Sequence, residues 1–240
     1  MSKISDRLDQ TRQQIAFACE RTGRDVERVK LVVVTKTATI DQVKEVVRAG
    51  CRNLGENRVQ HLKQISIAIQ EFIEDSQNDP EVPREVNWHM IGHLQRNKVK
   101  HVLKISSLIH SVDTLRLAEE INLTADKLDI NSEILLQVNC SGESQKYGVP
   151  VGAATHLAEQ FLTMKNLRLT GLMTMAPLTR DMDVVRACFI RARELFTEIA
   201  VKLPVGREFK HLSMGMSQDF EIAIEEGATI LRIGSAIFAG

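Results

Sequence analysis

Val29-Lys30-Leu31-Val32-Val33-Val34-Thr35-Lys36 is the stretch whose reading decides the fold. Leu31 to Val34 are consecutive apolar, mostly β-branched residues, the pattern of a strand covered on both faces, as in a parallel sheet flanked by helices. Such sheets place their chemistry at the C-terminal ends of the strands, where the amine of Lys36 stands. Most lysines at strand ends simply reach solvent. The run alone therefore leaves Lys36 as either a surface side chain or a site residue.

Outward from this run, an amphipathic helix is expected over 2–21, ending near Gly23. Seven more strands are predicted at 53–55, 88–92, 107–112, 133–139, 169–175, 209–214 and 229–233. Helices are predicted between them at 41–49, 58–74, 97–104, from an Asp113 N-cap to 128, then 151–164, 182–202 and 218–226. The segment 75–84, with Pro80 and Pro83, and the polar stretch 141–150 read as loops, the first as a mobile excursion. Strands alternating with helices imply a parallel sheet with right-handed crossovers. Eight such units in 240 residues, with no break in composition, fit one α/β domain over 1–240. The expected fold is a single (β/α)8 TIM-type barrel with an extra N-terminal helix, rather than an open doubly wound sheet.

Lys+Arg and Asp+Glu each total 31, which gives no electrostatic reason to expect nucleic acid or an acidic membrane as partner. The N-terminal segment is polar and lacks the apolar core of a secretory signal, and no apolar run approaches the ~20 residues that span a bilayer. Cys19, Cys51, Cys140 and Cys188 form no CxxC pair and read as reduced structural thiols. A cytoplasmic location is expected.

In a barrel, the residues just past each strand share one mouth. Two of these groups look like anion binders. Ile233-Gly234-Ser235-Ala236 turns from the last strand toward a terminal helix, and Met214-Gly215-Met216-Ser217 precedes another. Each alone is as readily a plain turn, but they occupy the usual phosphate position of barrels. His89 and His93 are four apart like a helical zinc pair, yet a strand would separate them by ~13 Å, so no metal site is expected. Gly142 to Gly148 lacks Walker spacing. Met173, Met175, Met214 and Met216 read as packing around the mouth. Arg96, Lys98, Lys100, His101 and Lys104 form a basic face that reads first as solvated surface.

Several blocks in order carry a resemblance: Val33-Val34-Thr35-Lys36-Thr37, Leu54-Gly55-Glu56-Asn57-Arg58-Val59-Gln60, Trp88 to Lys98, Ile109-His110-Ser111-Val112-Asp113, Leu212 to Phe220, and Arg232 to Phe238. Together they resemble the pyridoxal phosphate homeostasis protein family (the YggS/PROSC group), from about residue 30 to the C-terminus. The resemblance implies a barrel of the alanine racemase N-terminal type, fold-type III among proteins that use pyridoxal 5′-phosphate (PLP). By the same resemblance Lys36 matches the Schiff-base lysine and Arg232 the arginine facing the pyridine nitrogen. Ser213, Ser217, Gly234 and Ser235 match the phosphate region, and Asn57 and His89 match pocket-lining positions. The chain departs from many members at Ala38-Thr39, at Gly142-Glu143-Ser144-Gln145-Lys146 and at the end, Ile237-Phe238-Ala239-Gly240.

An amine attacks an aldehyde only when unprotonated, so Lys36 is expected to be buried beside a cation that depresses its pKa. Arg232 can only donate, which would keep the pyridine nitrogen unprotonated and the ring a weak electron sink. A racemase needs a second base, which the racemases supply as a tyrosine from an additional domain. This chain's one tyrosine, Tyr147, sits in a polar loop. The expected role is therefore a monomeric PLP carrier in intracellular PLP homeostasis, handing the cofactor to apo PLP-dependent enzymes, with no catalytic residues. The alternatives are a PLP-dependent racemase or lyase of the same fold, an aldolase-type barrel using Lys36 on a carbonyl substrate, and a regulator that binds partners through the basic face.

Overall fold

The computed structural model describes residues 3–143 and 145–239. The expected helix start at Ser2, Ser144 of the polar loop and the terminal Gly240 lie outside the described residues. In chain order the strands are β1 (Lys30–Val34), β2 (Asn53–Glu56), β3 (Asn87–Met90), β4 (Ser106–Val112), β5 (Ser132–Asn139), β6 (Val149–Pro150), β7 (Leu167–Met173), β8 (His211–Ser213) and β9 (Ile230–Ile233). All paired strands run parallel. Eight of them close a ring, with β4 against β5 on one side and β9 returning to β1 through Lys30↔Ile230 and Val33↔Ile233. The ninth, β6, was not expected; it extends the end of β5 through Val138↔Val149.

The helices are α1 (Lys3–Arg21), α2 (Ile40–Arg48), α3 (Val59–Asp75), α4 (Val99–Val102), α5 (Leu115–Lys127), α6 (Val151–Leu162), α7 (Met182–Lys202), α8 (Phe220–Glu225) and α9 (Ser235–Phe238). The larger core lies between them and the ring, and takes Val33 of β1. Val32 instead joins Leu108, Leu135, Met173 and Ile230 inside the ring. This two-residue alternation is why the β1 run had to be apolar throughout. It also carries Lys36 to the same side as Val34, at the mouth. The extra helix α1 packs on α2, α8 and α9, closing the seam where the chain begins and ends. The four cysteines are buried free thiols, and burial pushes Cys188 up to about 12. Among the described residues no helix is long and apolar enough to cross a membrane.

Several boundaries differ from expectation for local reasons. Thr114, not Asp113, caps α5, its side chain accepting from Leu117 N at 3.3 Å while its own backbone is extended. The basic helix is a 3-10 turn, Arg96–Lys98, followed by the single α-turn α4. Helix α8 starts two residues late because Gln218 and Asp219 belong to the wall of the mouth. Met214 is fully buried in the outer core instead of lining the mouth.

Candidate functional site

At the C-terminal ends of the strands the ring opens into a cavity of about 620 Å³. β1 delivers Lys36, β2 delivers Asn57, and β9 delivers Arg232 and, one step further, Gly234 and Ser235. Ser217 comes from the loop after β8. Six of the eight residues singled out from the sequence therefore share one wall. Backbone crowding at the mouth demands small residues: a Cβ on Gly234 would stand 2.8 Å from Val34 O, and one on Gly92 would stand 2.3 Å from Asn57 O. The two glycine loops are tied together, because Ala236 N donates to Ser217 Oγ at 3.2 Å. Gly234 has no side chain to cap α9, and in its first turn Ala236 N is taken by Ser217 Oγ and Ile237 N by Gly234 O.

The other two residues lie a layer deeper. His89 is 1% exposed and Ser213 0%, and neither forms part of the cavity wall. Arg232 Nη1 donates to Ser213 Oγ at 2.6 Å and Arg232 Nη2 to Thr174 O at 2.9 Å. Ser213 thus meets the guanidinium from below instead of facing the glycine loops. Burial pulls the Arg232 guanidinium down to about 10, with Asp219 opposing that shift. Burial also raises the Asp219 carboxyl, against the Met216 N–H that it accepts at 2.5 Å and the charge of Arg232.

Lys36 does not meet the expectation of burial. Its side chain is exposed, because the cavity is open above it. What partly spans the opening is the segment after β5, which sequence reading left as a plain polar loop. Asn139 organises it, accepting from Ser141 Oγ at 2.9 Å and donating to Glu143 O at 2.8 Å. Lys146 pairs with Glu143 and donates to Ala176 O at 2.8 Å, crossing to the connection after β7. Tyr147 stacks on His93 with ring centroids 4.4 Å apart. Lys146, Tyr147, His93, Gln137 and Asp219 all line the cavity and were not singled out as site residues. His93, just past β3, and Gln137, one strand period after the inward-facing Leu135, carried usable signals.

The residues present fit PLP. An amine, two anion-accepting loops with glycine where a side chain would clash, and a guanidinium donor line a single cavity. A closed parallel barrel with a lysine at its mouth defines the class, and the family described as alanine racemase, N-terminal domain, matches residues 7–240. The pyridoxal phosphate homeostasis protein of Aquifex aeolicus is 39% identical over 233 residues, 97% of this chain and 96% of that one. The chain belongs to the pyridoxal phosphate homeostasis protein family. Among solved structures, an unknown protein from Bifidobacterium adolescentis superposes with a TM-score of 0.89 at 34% identity, over 98% of this chain and 94% of that one. PipY of Synechococcus elongatus, solved with PLP bound, superposes with a TM-score of 0.79 at 30% identity, over 98% and 100% of the two chains.

Proposed function

We propose that this chain binds PLP in the barrel mouth, holds it through one reversible covalent bond at Lys36, and serves intracellular PLP homeostasis as a monomeric carrier. The observation that carries the reading is that Lys36 and both glycine loops line the same cavity. When bound, the cofactor supplies a reactive aldehyde, and Lys36 Nζ is the amine at the wall to meet it. Ser217, Gly234 and Ser235 would hold the phosphate, each charge-assisted hydrogen bond contributing roughly 1.5–3 kcal/mol. Asn57 lines the wall beside them, and Arg232 would supply a donor for the ring nitrogen. The open mouth leaves Lys36 and a bound cofactor reachable from outside, which suits transfer to apo-enzymes in the cytoplasm. The names of the relatives and the PLP in PipY support this reading. Purified protein should show visible absorption from bound PLP, and Lys36→Ala should abolish it; a colourless wild-type protein after PLP addition would overturn the proposal.

A second reading, a PLP-dependent racemase or lyase, is favoured by Tyr147 and His93. Both are titratable and both line the cavity. Amino-acid turnover by the wild type that disappears in Tyr147→Phe would move the assignment there. Carriage without turnover is the outcome the first reading expects.

A further inference from the structure

Below the cavity floor, a continuous line of polar side chains crosses the barrel interior. Arg232 donates to Ser213 Oγ. Ser213 Oγ lies 3.0 Å from His110 Nδ1, His110 Nε2 lies 2.9 Å from His89 Nδ1, and His89 Nε2 lies 3.3 Å from Asn53 Oδ1. His89, His110, Ser213 and Arg232 are all buried. The roles at the two ends are fixed: a guanidinium only donates, and the Asn53 carbonyl oxygen only accepts. If His89 carries its proton on Nε2, it donates to Asn53 and leaves Nδ1 to accept from His110 Nε2–H. His110 Nδ1 then accepts the Ser213 hydroxyl proton, and the Ser213 lone pair accepts from Arg232. Every link has one donor and one acceptor.

The other protonation patterns fail. Moving both protons to Nδ1 sets the His89 lone pair against Asn53 Oδ1. A proton added to His89 would force the His110 proton round to Nδ1 and leave a buried charge with no counter-ion along this line, and one added to His110 puts a second cation one hydroxyl away from Arg232. Burial is the largest cause that holds both imidazoles below their ordinary value, and the charge of Lys30 acts in the same direction.

We propose that His89 and His110 are positioning residues for Arg232: as neutral Nε2–H imidazoles they fix the direction of the Ser213 hydroxyl, and so the direction in which Arg232 offers its remaining N–H groups to the cavity. Its functional half rests on the reading of the cavity as a PLP site. A barrel filled merely with polar bulk would need no defined tautomer and no directional chain.

The first test needs no variant and no cofactor. Nitrogen-detected NMR of the imidazoles at neutral pH should show protonated Nε2 and bare Nδ1 on both rings. An imidazolium, or an Nδ1–H on either ring, overturns the proposal. The second test compares PLP with its carbocyclic analogue, in which CH replaces the ring nitrogen. Preference for PLP should fall about tenfold in His110→Phe and in Ser213→Ala, whose smaller side chain guards against a His110→Phe that fails to fold. In His110→Asn, whose amide can still accept from Ser213, much of the preference should return. Unchanged preference in the variants overturns the positioning role. A wild type that binds neither compound sinks the cofactor reading while leaving the tautomer result to stand or fall alone.

Discussion

Glu56 is fully buried at the end of β2, on the side that faces the helices. Thr35 Oγ1 donates to its Oε1, and His61 Nδ1 lies 3.0 Å from the same oxygen, at ion-pair distance but off the line of a hydrogen bond. Oε2 has no partner among the described residues. This carboxylate therefore leans on the residue immediately before Lys36. Thr35→Val should cost about 1–3 kcal/mol in urea unfolding, because a buried carboxylate loses a donor. Gly234→Ala is the sharper probe of the mouth. Its Cβ meets backbone, Val34 O, which cannot swing aside. PLP affinity should fall and stability should drop by about 1–3 kcal/mol, the usual cost of overpacking; equal affinity would mean that this loop does not grip the phosphate.

At the scale of elements, the barrel interior carries an acid weakness. Burial, then the charge of Lys30, pushes His89 down to about 3, and His110 lies well below its ordinary value for the same first reason. In the unfolded chain both would take protons near pH 6.5. The native state binds fewer protons than the unfolded one below that point, so stability is full above 6.5 and falls as the pH drops toward 3. The slope is up to about 1.4 kcal/mol per pH unit for each imidazole that stays neutral. Urea midpoints measured between pH 7 and 4 should decline, and His89→Gln should flatten the decline. A second prediction concerns α8: Arg24 donates to Ile224 O in the last turn of that helix at 2.5 Å and to Ala228 O, in the turn between α8 and β9, at 2.8 Å. Arg24→Ala should lower stability by about 1–3 kcal/mol without moving PLP affinity.

Across the whole molecule, what the sequence made legible followed from periodicity. The Leu31–Val34 run announced a strand covered on both faces, and eight such signals with intervening helices announced the closed ring. Lys36, Asn57 and the glycine loops were placed at the mouth because they fall just past strand ends, while Arg232, inside β9, was picked out by the family resemblance. Depth was not readable. His89 and Ser213 also sit at strand ends, but the stagger of a tilted barrel sets them one layer down, and stagger depends on pairing across the ring. The segment that brings Lys146 and Tyr147 over the mouth has no period at all; Asn139 and backbone hydrogen bonds shape it. The openness of the mouth likewise emerges only once the loops are in place, which is why Lys36 is exposed. Tyr147→Ala removes the stack on His93 and should speed PLP release by roughly two- to tenfold in a stopped-flow transfer assay. The account as a whole rests on one covalent partner. Borohydride reduction of the PLP-loaded protein, followed by peptide mass mapping, should place the cofactor on Lys36 and leave the chain's other lysines unmodified. A stoichiometric adduct on any other lysine, or none on a protein that still binds PLP, would contradict it.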